Sequence, residues 1–159
     1  MNPWKCEDWK SFYTDKPGLR TGLRLHFEPG IDSTLRKFFL LFAAWLRKNY
    51  PFPIRVNVYI KHTKTLRAKD GTQVSATFFG PFDRTLEPYI RIAADDFEEI
   101  RAEHDTFSAL CGEINSLAHE LTHYYQWLND LGLTEKQEER QAAYFSEKIV
   151  YRFIDENDI

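Results

Sequence analysis

The chain predicts an α+β fold: an N-terminal helix, a small three-stranded sheet, then a long helix and a C-terminal helix. Three observations carry it. The apolar stretch between Asp32 and Asn49 lacks strand alternation, the segment after Ile54 repeats with period two, and the residues after Asp105 return to helical spacing. A length of 159 residues suits one domain over 1–159 that buries most of its apolar surface without staples.

Residues 1 to 30 place several aromatics between the breakers Pro17-Gly18 and Pro29-Gly30, and read as irregular with one short element. Trp4, Trp9, Phe12 and Tyr13 there are packing residues. Asp32-Ser33-Thr34 offers an N-cap, and the core helix it opens ends near residue 49, ahead of Pro51. Val56, Val58 and Ile60 then alternate with Asn57, Tyr59 and Lys61 as a strand. A second strand, from about Thr72 to Phe82, follows the Asp70-Gly71 turn, and a third, Tyr89 to Ala93, follows Pro88. The sheet they form is antiparallel or mixed. Asp105-Thr106 caps a long helix on which Leu110, Ile114, Leu117, Leu121 and Leu128 recur at helical spacing. It ends between Asn129 and Gly132, where glycine supplies a left-handed cap, and Thr134 to Gln137 reads as a capping box for the last helix.

Composition excludes several classes. An apolar fraction of 43% with seven Gly and seven Pro rules out a disordered or collagen-like chain. The longest apolar run, Phe38 to Leu46, falls well short of the ~20 residues a membrane span needs, so no membrane partner is expected. The first residues lack the pattern of a secretory signal, and Cys6 and Cys111 lie far apart without metal-type spacing. Both facts predict a cytoplasmic protein with free thiols. Residues 1–80 carry 14 Lys/Arg against 6 Asp/Glu, and residues 81–159 carry 7 against 18. The basic run Lys61 to Lys69 alternates with Thr, Leu and Ala near a turn, as on a solvated hairpin, so no nucleic-acid partner is expected.

The chemistry-bearing motif is His119-Glu120-Leu121-Thr122-His123. Imidazoles four residues apart leave one side of a helix about 6 Å apart along its axis and can grip one tetrahedral zinc ion. Glu120, one residue on, points beside the metal, where it can take a proton from the water that zinc activates. A catalytic zinc needs a third protein ligand and an open position. No histidine follows His123, and Gln126 and Asn129 stand where the extended motif would need Gly and His. The third ligand is therefore a carboxylate on the last helix. His123 lies about 9 Å before the turn and Glu139 about 7.5 Å beyond it, so the levels nearly match. Helical phase does not decide among Glu135, Glu138 and Glu139, although a first-turn position favoured by the helix dipole explains Glu135 without a metal.

Leu117-Ala118-His119-Glu120-Leu121-Thr122-His123, followed by Glu139-Arg140-Gln141-Ala142 and an apolar Phe145, resembles the gluzincin clan of zinc peptidases. The short spacer and small size are similar to minimal gluzincins and to ImmA/IrrE-type proteins. The resemblance covers residues 75 to 150, and its metal motif is the specific part. It implies His119, His123 and Glu139 as zinc ligands, Glu120 as general base, and a peptide or protein as substrate. It also implies that Ser75 to Gly80 forms the rim of a cleft to which an extended peptide adds by backbone hydrogen bonds. The same segment reads equally well as an ordinary strand with Phe78 or Phe79 in the core. One departure stands out: many gluzincins place Asp after that Ala to support a zinc histidine, and this chain has Ala143.

The alternative to an enzyme is a non-catalytic metal-binding regulatory or interaction protein of a mobile element. Glu120 separates the two, because a structural site has no need of a base. His26, His62 and His104 are isolated and read as surface or satisfied residues. Tyr124, Tyr125, Tyr144 and Tyr151 are the donors considered for an oxyanion, with no ground in the sequence for choosing among them.

Overall fold

In a computed structural model describing residues 1–159, a 3-10 turn at Pro3–Lys5 leads to helix α1 (Trp9–Tyr13), strand β1 (Leu23–Phe27) and helix α2 (Ser33–Asn49). Strand β2 (Val56–Lys61), a hairpin of β3 (Leu66–Arg67) and β4 (Gln73–Val74), and strands β5 (Ala76–Phe79) and β6 (Tyr89–Ala93) follow. Helices α3 (Phe97–Glu103), α4 (Thr106–Asn129) and α5 (Glu135–Glu156) complete the α+β chain. The capping chemistry sets the starts of the long helices. Asp32 accepts from the Thr34 and Leu35 amides at 2.9 and 3.1 Å, Asp105 accepts from Ser108 N at 2.6 Å, and Thr134 with Gln137 closes a full capping box.

The sheet is larger than three strands. Its order is β1-β2-β6-β5, with β1, β2 and β6 parallel and β5 antiparallel at the edge, and β3 and β4 form a separate two-stranded piece. The added strand, β1, lies in the segment read as irregular. Its five residues are too few for periodicity to stand out between breakers, and its pairing comes from α2, which supplies the crossover that parallel neighbours require. The expected strand from Thr72 to Phe82 divides at Ser75. The Ser75 carbonyl accepts from Ala93 N at 2.8 Å, so β5 pairs with β6 while the residues before it turn back onto β3. Helix α3 was also not expected.

Helix α4 runs through the centre of the molecule, packed by α5, α3, α2 and the inner face of β5 and β6. Ile114, Leu117, Leu121 and Leu128 are fully buried along it, as the spacing predicts. The N-terminal segment closes its far side: Trp4 Nε1 donates to Thr122 Oγ1 at 2.9 Å and Trp9 N donates to Asn129 Oδ1 at 2.9 Å. The left-handed cap of α4 falls on Asp130 (φ 50°), and Gly132 (φ 65°) is a second left-handed residue in the turn that reverses the chain into α5. No helix is long and apolar enough to cross a membrane, and Cys6 and Cys111 are both unpaired.

One buried acid on α4 lies outside any expectation. Glu113 is 4% exposed and faces Asp96, and Glu113 Oε1 and Asp96 Oδ1 are both buried without a hydrogen-bond partner. A single proton shared between the two carboxyls would satisfy both atoms. Burial first, then the adjoining Asp96 carboxyl, hold the Glu113 carboxyl well above the usual carboxylate range. A carboxyl raised in the folded state stabilises fully below its unfolded pKa, near 4.5, and loses that contribution as pH rises through the folded value. The melting temperature should therefore decline between about pH 5 and pH 9, and Glu113→Gln, which keeps a donor toward Asp96, should flatten that decline. Parallel slopes for the two proteins in a thermal-unfolding series would show that the pair does not share a proton.

Candidate metal centre

The antiparallel packing of α4 and α5 brings three of the sequence-predicted residues together. His119 Nε2 lies 3.1 Å from Glu139 Oε2, and His123 Nε2 lies 3.0 Å from Glu139 Oε1. The ligand atoms of His119, His123 and Glu139 all fall within 4.8 Å of one another, and neither Glu135 nor Glu138 belongs to this group. Tetrahedral zinc bonded at about 2.1 Å needs ligand atoms about 3.4 Å apart, so the donor set suits the ion, and binding it would draw the widest-spaced ligand atoms together.

The orientation of His123 is fixed from behind. Its Nδ1–H donates to Gln126 Oε1 at 2.8 Å, which turns Nε2 toward Glu139 as the atom available to a metal. Gln126 is 4% exposed, and its amide nitrogen donates to the Glu138 carbonyl at 3.0 Å and to Gln141 Oε1 at 2.9 Å. Gln126 thus braces the His123 ring from behind. Sequence reasoning saw Gln126 only as a mismatch to a longer motif. Its position three residues after His123, on the same helical face, was the signal available.

The electrostatics suit a metal ligand set with a base beside it. Burial, then the neighbouring His123, lower the pKa of His119 against the opposing pull of Glu139, which favours the neutral imidazole a metal requires. Glu120 is buried, and burial pushes its carboxyl up to about 7, with His123 opposing and Glu139 adding to the rise. Glu138 is raised too, by burial, with His123 opposing and Glu139 and Glu135 contributing.

A cleft runs past these residues beneath the free edge of β5. One lobe, about 720 Å³, is lined by Glu120, His123 and Glu139 together with Thr77, Phe78 and the β3–β4 loop. The other, about 1030 Å³, is lined by His123, Glu138, Trp127 and Gly80. Phe78, His123 and Glu138 belong to both. Strand β5 is the open edge that the rim reading called for, with Phe78 packed on Trp127 and Phe79 facing solvent. Gly80 allows the closest approach: a Cβ there would fall 2.5 Å from the Trp127 ring.

No family model, curated protein or solved structure matches this chain. The site therefore rests on its own geometry. The four tyrosines considered for an oxyanion do not reach it. Tyr124 and Tyr125 are fully buried and donate to the Ile54 and Pro51 carbonyls, each at 2.7 Å. Tyr144 and Tyr151 are exposed on α5 and line neither lobe. His62 pairs with Asp95 at 2.6 Å, His26 stacks on Tyr59, and His104 caps α3, all apart from the site.

Competition with a zinc chelator should rank the supporting residues. Glu139→Gln removes a ligand and should abolish tight binding, whereas Glu138→Gln should change it little. Gln126→Ala should weaken it by about 10- to 100-fold, since it frees the His123 ring without removing a ligand. Equal losses for Glu138→Gln and Glu139→Gln would refute the ligand assignment.

Proposed function

We propose that this chain is a zinc-dependent, gluzincin-like metallopeptidase that hydrolyses peptide bonds in a cleft under strand β5. The observation that carries this reading is the convergence of two imidazoles and a carboxylate from the next helix, with the buried carboxyl of Glu120 beside them. A purely structural zinc site prefers four protein ligands and gains nothing from a base at its open side.

His119, His123 and Glu139 would hold the ion. When bound, zinc supplies Lewis acidity toward the scissile carbonyl and lowers the pKa of water toward about 7. Glu120 accepts the proton of the attacking water and delivers it to the leaving amine. The free edge of β5 gives an extended peptide backbone hydrogen bonds, and Phe78 and Trp127 give it an apolar floor. The unpaired thiols of Cys6 and Cys111 support a reducing, cytoplasmic setting.

Glu120 must be ionised to act, and its carboxyl is raised to about 7 by burial, a value that a bound cation lowers. Activity should accordingly fall on the acid side, with an apparent pKa at or below 7. At matched zinc content, Glu120→Gln should cut the hydrolysis of a mixed peptide library by about 10² to 10⁴-fold while leaving the metal bound. If wild type cleaves nothing across such libraries and Glu120→Gln preserves the protein's effect in its host, the non-catalytic metal-binding alternative replaces this one.

A further inference from the structure

The face of the four-stranded sheet turned away from α4 carries no helix. Val56, Val58, Ile60, Ile90 and Ile92 are fully buried against the helices, so the residues alternating with them point the other way. Parallel strands such as β1, β2 and β6 are ordinarily covered on both faces. Here Arg24, His26, Tyr59, Tyr89 and Phe79 all remain exposed on the outer face.

The uncovered residues form an ordered surface. Pairing register sets His26, Tyr59 and Arg91 side by side in one row and aligns Arg24 with Tyr89 and Phe79 in the next. The rings touch in sequence across all four strands: His26 stacks on Tyr59 at 4.8 Å, Tyr59 meets Tyr89 edge-on at 6.3 Å, and Tyr89 meets Phe79 at 5.2 Å. The cations beside them are free. Arg24 and Arg91 have no carboxylate partner, and neither do Arg67 and Lys69 of the β3–β4 hairpin. The Lys69 ammonium sits 5.7 Å over the Phe79 ring, and Arg91 reaches the Arg67 carbonyl at 3.2 Å while its buried Nε has no partner.

We propose that this face binds single-stranded nucleic acid, with the aromatic strip stacking on bases and Arg24, Arg91, Arg67 and Lys69 holding phosphates. Unpaired bases offer flat π-faces and a chain of negative charge, which is the complement of rings interleaved with unpaired cations. A second copy of the chain would oppose like charge with like charge. An acidic peptide would use the cations but has no need of four contiguous rings. The Lys61 to Lys69 run does include a hairpin, as the sequence predicts, yet the fold sets Arg67 and Lys69 beside the aromatic strip instead of leaving them scattered in solvent. Phe79, Tyr89, Arg91, Arg67 and Lys69 also border the lobe that holds Glu120, His123 and Glu139, whereas Arg24, His26 and Tyr59 lie outside it, so binding is measured both with and without zinc.

The test is fluorescence anisotropy with labelled dT and rU homopolymers of about a dozen nucleotides, a span within the usual site size of one such platform. Wild type should bind saturably at low salt and more tightly than it binds a duplex of equal length, whose stacked bases hide their faces. Tyr59→Ala should weaken binding about tenfold, and Tyr59→Ala with Tyr89→Ala by more than either alone. Arg24→Gln, an exposed change that leaves the sheet intact, should lower the slope of log affinity against log salt by about 0.7. Melting curves check each fold, and Tyr59→Leu keeps the bulk without the π-face should alanine unfold the sheet. Absence of saturable binding, ring variants as tight as wild type, or displacement by poly-glutamate as effective as by the oligonucleotide would overturn the proposal, the last in favour of an acidic protein partner.

Discussion

Gln126 is the joint on which the arrangement depends. It accepts a hydrogen bond from His123 Nδ1 and donates to the Glu138 carbonyl and the Gln141 side chain, so one buried amide sets both the rotation of an imidazole and the height of α5 along α4. Glu139 follows Glu138 directly, and its carboxylate is thereby carried between the two imidazoles. An amide in this place gives up less charge to the ring than a carboxylate would. The amide fixes the His123 ring without placing a charge behind it.

The rest of the fold serves to hold α4 still. Trp4 bonded to Thr122, Trp9 to Asn129 and the inner face of the sheet surround it, so the motif helix is a core element with only its His119 and His123 side open. The cost of that burial shows in the acids it carries. Glu120 and Glu113 are both raised by desolvation, one beside the cleft and one against Asp96, and the same helix therefore holds two carboxyls that resist ionisation for one physical reason. The outer face of the sheet is the opposite case, an arrangement of exposed rings and unpaired cations that the core does not need.

Local signals in the sequence were read where the physics is local. The Asp32, Asp105 and Thr134 caps, the β6 boundaries and the apolar periodicity of α4 all depend on residues within a turn or two of each other, and the structure follows them. The spacing of His119 and His123 is of the same kind. What escaped depends on partners distant in sequence. Strand β1 exists because β2 lies beside it after a helical crossover, and Ser75 divides a strand because Ala93 claims its carbonyl. Choosing Glu139 from three glutamates needs a family resemblance, since helical phase allows all three, whereas the packing of α5 on α4 brings that residue alone to the histidines. Gln126 offers a local signal in its spacing from His123, but its contacts with Glu138 and Gln141 cross the turn and appear only in the fold.

The central claim is that two imidazoles and one carboxylate from α5 bind a single zinc ion with a position left open. X-ray absorption at the zinc edge of the purified, zinc-loaded protein tests it most directly, because nitrogen and oxygen ligands scatter at about 2.0 to 2.1 Å and thiolate at about 2.3 Å. The account predicts one zinc per chain, a shell of light atoms only, and two imidazole signatures, with one lost in His119→Ala. A sulfur scatterer from Cys6 or Cys111, or a spectrum unchanged by His119→Ala, would contradict it.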